Sequence, residues 1–183
     1  MTGMAMGNRL LGLALAGGAL CAFAAQAQTA AAPAAAPAAA HVYGHLERAV
    51  VVGSPSIEVQ AQLSGGGDAT VLLVNDIKYA SGEGGMMVHF TIDNGEVMPG
   101  RTVNVSLPLL QDQHVRDRDG GVVHHPIVAM NFCIGTHAFG SNVTLEPRTG
   151  YTPPLVLGKA DAAQFGATDP LKKNTIDAEC ATH

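Results

Sequence analysis

Ala61 to Val71, AQLSGGGDATV, constrains this chain more than any other stretch. Ile57, Val59, Ala61 and Leu63 alternate with Glu58, Gln60 and Gln62, the period-two pattern of a half-buried strand. Three consecutive glycines, Gly65 to Gly67, then stop that strand, and Thr70-Val71-Leu72-Leu73-Val74 starts a second one. About ninety residues on, Pro153-Pro154-Leu155-Val156-Leu157-Gly158-Lys159 is a short apolar run closed by a glycine, which reads as a buried strand.

Other segments read the same way. Ala49–Val52 is a β run separated from Ile57–Leu63 by the turn cluster Gly53-Ser54-Pro55-Ser56. Ser81–Gly85 turns Ile77–Ala80 back into Met87–Ile92, and Asp93-Asn94-Gly95 is the strongest short hairpin signal. Val103, Val105 and Leu107 alternate with Asn104 and Ser106. Val122–Ile134 is expected to turn at Gly135–Gly140 into Asn142–Leu145, and Lys159–Phe165 to make one or two helical turns. No window carries a sustained 3.6-residue period, so the expected fold is all-β: a small closed barrel with one short helix.

The barrel does not begin at Met1. Arg9, the apolar run Leu10–Ala25 and the Ala25-Gln26-Ala27 site read as a secretory signal peptide, residues 1–27, cleaved after Ala27. Leu20 before Cys21 is a poor fit for lipidation, which wants a small residue there. Residues 28–40, rich in alanine with Pro33 and Pro37, read as a tether, because prolines break the helix that alanine would favour. That leaves residues 41–183 as one domain, periplasmic or secreted, with no membrane span in the mature chain.

Removing Arg9 takes the formal charge from −5 to −6. A mildly acidic surface without Trp argues against nucleic acid and anionic membranes as partners. Cys133 and Cys180 are the cysteines left in the domain. In an oxidising compartment they are expected to bond and to fasten the C-terminal tail to the barrel. His114, His124, His125 and His137 fall close together, but in none of the familiar zinc spacings. Adjacent residues on a strand face opposite ways, so His124 and His125 cannot chelate one ion together. Neither a metal nor another cofactor is expected. Ser64 lacks the Gly-x-Ser-x-Gly context of a serine hydrolase nucleophile.

Taken in order, these segments resemble the retropepsin-like aspartic peptidases, in particular the bacterial single-domain type also labelled ATP-dependent zinc proteases. The resemblance runs from Val42 to Cys180. It rests on Val42-Tyr43-Gly44 with Leu46-Glu47-Arg48, on the glycine loop, on Asp76–Tyr79 and Val88–Ile92, on Asn142–Arg148, and on Pro153–Lys159. The family's first motif is Asp-Thr-Gly-Ala; here the corresponding residues are Ser64, Gly65, Gly66 and Gly67. The resemblance therefore implies a retropepsin-like barrel whose catalytic aspartate is replaced by Ser64, and whose threonine, which ties two loops across a dimer axis, is replaced by Gly65. Leu155, Val156, Leu157, Gly158 and Lys159 stand at the family's second motif.

Asp68 is the weak substitute acid, four positions along. The charged turn Arg116-Asp117-Arg118-Asp119-Gly120-Gly121 stands where the resemblance puts a substrate-closing flap, though mixed charge at a hairpin tip needs no function. The expected activity is a degenerate peptidase that binds an extended peptide or protein segment, and the expected assembly is a weak homodimer. The alternatives are an active endopeptidase using Asp68 or an intact partner chain, and a structural envelope domain without ligand.

Overall fold

The structure is a computed structural model. It describes residues 41–63, 66–82, 84–94, 97, 100–150 and 153–180. The expected signal peptide and tether, and Ser64 and Gly65 themselves, lie outside the described residues.

Ten strands are described: β1 (Tyr43–Val52), β2 (Ile57–Gln62), β3 (Thr70–Gly82), β4 (Gly85–Asp93), β5 (Thr102–Pro108), β6 (Gln111–Arg116), β7 (Val122–Ile134), β8 (His137–Pro147), β9 (Leu155–Val156) and β10 (Thr168–Lys173). Among the described residues there is one α-helix, α1 (Lys159–Ala162), which runs into a single 3₁₀ turn at Ala163–Phe165 and matches the one or two turns expected.

Following the pairings, β1 meets β2, β2 meets β9, β9 meets β3, β3 meets β8, β8 meets β7, and β7 returns to β1. Those six strands close into a barrel, which removes the free edges that an open sheet would leave. Its interior is filled by the inward residues of the alternating pattern: Val59, Ala61 and Leu63 from β2 and just beyond it, Leu72 and Val74 from β3, Val143 and Leu145 from β8, with Phe132, Ile134, Leu155 and Leu157.

Three strands lie outside the ring with one partner each: β10 on β1, β6 on β7, and β5 on β4. β3 continues past the barrel to pair with β4 as a hairpin arm. The segments Thr70–Val74 and Ile77–Ala80 are thus one strand. Its register shifts between Asn75 and Lys78, where Asp76 takes φ 55°.

Local details add to these expectations. Asp93-Asn94-Gly95 stands at a hairpin, since β4 pairs antiparallel with β5, but the connection is long: β4 ends at Asp93, β5 begins at Thr102, and the Asn94 N–H donates to the Arg101 carbonyl. The β7–β8 turn is shorter than Gly135–Gly140, because Ile134 already pairs with His137. Gly135, with φ 60°, supplies the left-handed backbone that lets two residues reverse the chain. Finally β10, a polar segment containing Pro170, pairs in parallel with β1; nothing in its composition announced a strand, and proline is tolerated there because the strand is an edge.

Candidate functional site

The glycine loop leaves β2 at Leu63, whose side chain is buried, and re-enters β3 at Thr70, also buried. Between them Gly66, Gly67, Asp68 and Ala69 are exposed. The second motif holds this loop. β9 wedges between β2, to which it is parallel, and β3, to which it is antiparallel. Beyond it the Leu157 N–H donates to the Gln62 carbonyl at 3.0 Å, and the Lys159 N–H donates to the Gly67 carbonyl at 3.0 Å.

Thr70 completes the clamp. Its hydroxyl oxygen accepts from the Gly158 N–H at 2.9 Å, and its hydroxyl proton goes to the Asp161 carboxylate, which also accepts from the Ser141 hydroxyl at 2.6 Å. The loop is therefore positioned from three directions by β9, α1 and β8. Of the five motif residues, Leu155 and Leu157 lie in the core, Val156 is half-buried, and Gly158 and Lys159 meet the loop.

Asp68 points away from this assembly. Its side chain is 91 % exposed, and its carboxylate meets Lys159 Nζ at 2.9 Å. The tip Arg116–Gly121 is exposed and joins β6 to β7. Asp117 closes it, since its carboxylate accepts the backbone N–H groups of Asp119 at 3.0 Å and Gly121 at 2.6 Å. Cys133 and Cys180 are joined in a disulfide, Cα atoms 6.0 Å apart, fastening the tail to the end of β7 as expected.

Two groupings were missed from sequence. The first is Glu47, which is fully buried. It accepts from the Gly44 N–H at 2.6 Å, from the Thr175 N–H at 2.8 Å, from the Ile176 N–H at 3.4 Å and from the Thr175 hydroxyl. The parity of Glu47 with Ala49 and Val51 placed it on the inward face all along.

The second is Asp112, His114 and His124, whose donor atoms all lie within 4.8 Å of one another. Asp112 Oδ2 is 2.7 Å from His124 Nδ1 and 3.3 Å from His114 Nε2, while the Tyr79 hydroxyl donates to Asp112 Oδ1 at 3.1 Å. Burial works to raise the Asp112 pKa, but hydrogen bonds from His124, Tyr79 and His114 together hold it below the usual carboxylate range. Tyr79 is pushed up to about 12, first by burial and then by its bond to Asp112. As expected of neighbours on a strand, His125 turns the other way, to Glu146 at 3.2 Å. His137 is separate, against Gln164 at 3.1 Å.

A closed six-stranded barrel, with a glycine loop pinned by a second apolar strand ending in glycine and a short helix, defines a retropepsin-like domain. The sequence pattern of the family described as RimB-like, retropepsin-like aspartic endopeptidase RimB, matches residues 42–179, and the chain belongs to that family. A crystal structure of a protein of unknown function (DUF785) from Legionella pneumophila is similar in fold. Its TM-score is 0.57 at 21 % identity, covering 73 % of this chain and 96 % of that one. No curated protein matches the chain.

Proposed function

We propose that this chain is an exported, catalytically inactive retropepsin-like domain that binds extended segments rather than cutting them. The observation that carries this reading is the state of the one carboxylate in the glycine loop. Position 64 holds a serine, and Asp68 is turned outward into a solvent-exposed pair with Lys159. In aspartic peptidase chemistry two carboxylates about 3 Å apart share a proton, so that one activates water while the other protonates the substrate. A serine hydroxyl is not ionised near neutral pH and can take neither role.

Moving Asp68 to the position of residue 64 would require the loop to slip by four residues. That slip would break the Lys159–Gly67 hydrogen bond and disturb the buried Leu63 and Thr70 at its two ends. The reading of an active enzyme through Asp68 is therefore the weaker one.

Binding without cutting needs only backbone groups and side-chain pockets. β5, β6 and β10 each offer an edge with a single partner. Export is supported by the Arg9-to-Ala27 pattern and by the disulfide. No helix among the described residues is long and apolar enough to cross a membrane. A weak two-fold homodimer belongs to the same reading.

The test is to incubate the purified chain with a library of extended peptides from acidic to neutral pH, following cleavage by mass and binding by anisotropy. Binding without cleavage is the expected outcome. Pepstatin-sensitive cleavage would overturn it, and neither binding nor cleavage would favour a structural envelope domain.

A further inference from the structure

We propose that Asp112, His114 and His124 form a binding site for a divalent transition-metal ion, with zinc the best-matched occupant. The argument begins with strand register. β6 and β7 are an antiparallel hairpin in which His114 lies directly opposite His124. Residues facing each other across such a pair project to the same face of the sheet, and Asp112, two residues before His114, shares that face. Three donors of the types that zinc prefers, two imidazoles and one carboxylate, thus converge from a rigid two-stranded element.

The separations suit an ion. Around a tetrahedral zinc with ligands at 2.0–2.2 Å, donor atoms stand roughly 3.3–3.5 Å apart. Here Asp112 Oδ2 is 2.7 and 3.3 Å from the two imidazole nitrogens, and the whole set lies within 4.8 Å. Rotations of the two exposed imidazoles would bring these edges into that range. Tyr79 acts as the outer support: its hydroxyl occupies Oδ1 at 3.1 Å, which leaves Oδ2 aimed at the histidines. Supports of this kind orient ligating carboxylates and raise affinity. The side chains of His114 and His124 are more than half exposed, so an ion has free entry.

Three protein ligands leave at least one coordination position open. That position faces solvent, where it is open to water or to a donor atom of a bound ligand. The site is distinct from the glycine loop, sharing no residue with it. It also joins two elements that are not strand partners, because Tyr79 stands on the β3 arm while its three companions stand on β6 and β7.

The test uses the full chain, free of chelator and carrying no polyhistidine tag. Calorimetric titration with Zn²⁺ is expected to give one equivalent, and Co²⁺ to give the visible absorption of a tetrahedral centre. Asp112→Asn, His114→Ala and His124→Ala should each weaken binding tenfold or more. Tyr79→Phe should weaken it by about tenfold, within the usual range for an outer support. His125→Ala, on the opposite face, should bind as the native chain does. Circular dichroism checks that each variant is folded; for any that is not, the remaining single variants carry the test. Absence of stoichiometric binding would overturn the proposal, as would binding unchanged by His124→Ala or lost equally in His125→Ala.

Discussion

Gly158 lies so close to Asp68 that a Cβ added to it would stand 2.5 Å from the Asp68 carbonyl oxygen and 2.6 Å from the Ala69 carbonyl carbon. The obstruction is backbone, which cannot swing aside as the end of a flexible side chain can. Gly158 is in ordinary extended conformation, φ −69° and ψ 164°, so its requirement is space alone. Gly158→Ala should therefore push β9 away from the glycine loop and weaken the Lys159-to-Gly67 hydrogen bond. Overpacking of this kind costs about 1–3 kcal/mol. Gly67→Ala, where the nearest atom to an added Cβ is 3.9 Å away, is the matched control and should be close to neutral. Urea denaturation of the two variants checks the contrast.

Glu47 ties the C-terminal tail to β1 through acceptor atoms only. Its two oxygens receive four hydrogen bonds, from Gly44, Thr175 and Ile176. Glu47→Gln keeps the shape but turns one end into a donor facing N–H and O–H groups that also donate. With a buried donor pair left unsatisfied, the expected loss is about 2–4 kcal/mol. Asp177→Asn removes an ion pair to Arg48 in the same tail, but Asp177 is 72 % exposed, and the loss there should stay below about 1 kcal/mol. Thermal melts of both variants read the difference.

The Cys133–Cys180 bond closes a loop spanning 47 positions. In the chain-entropy treatment, opening a loop of that size costs roughly 4 kcal/mol. Reduction should act first on the tail, because Cys180 lies near its end while Cys133 is buried in β7. Hydrogen exchange on the reduced chain should speed up over residues 174–180 while β2, β3 and β8 stay protected. A uniform acceleration across all strands would instead make the bond a support of the whole barrel.

The barrel was legible because its strands alternate cleanly. Ile57–Leu63 and Val103–Leu107 show which face is inward, and the disulfide followed from two cysteines in an oxidising setting. A closed barrel was expected, but not the pairing that closes it: β1 and β7 join residues some eighty positions apart, and no local signal carries that contact. The metal-ligand candidates were hidden for a related reason. His124 and His125 drew attention as neighbours, whereas the grouping that forms depends on hairpin register, which sets His114 against His124 around the Asp117–Gly121 tip. Asp112 carries no mark in sequence at all. Glu47 was hidden by its charge, which suggests a solvated position even though its parity with Ala49 and Val51 says otherwise.

The last prediction concerns the chemistry of the glycine loop. If its backbone path keeps the shape needed for catalysis and only the functional groups are lost, then restoring them should restore turnover. Ser64→Asp with Gly65→Thr supplies the carboxylate and the hydroxyl that the family pattern carries. Two such chains would place two carboxylates together, giving one base and one acid at acidic pH, where a single shared proton is retained. General acid–base assistance is typically worth 10²- to 10⁴-fold, so the double variant should exceed the native chain's rate by at least about 10². Because each chain supplies half of the pair, the rate should rise with the square of protein concentration while dimers are scarce. Adding Asp68→Asn to the double variant should leave turnover unchanged, since that carboxylate belongs to the Lys159 pair. The assay is acid-pH cleavage of an unstructured protein with and without pepstatin. Native activity that disappears with Asp68→Asn alone would mean that Asp68, not position 64, carries the catalytic group.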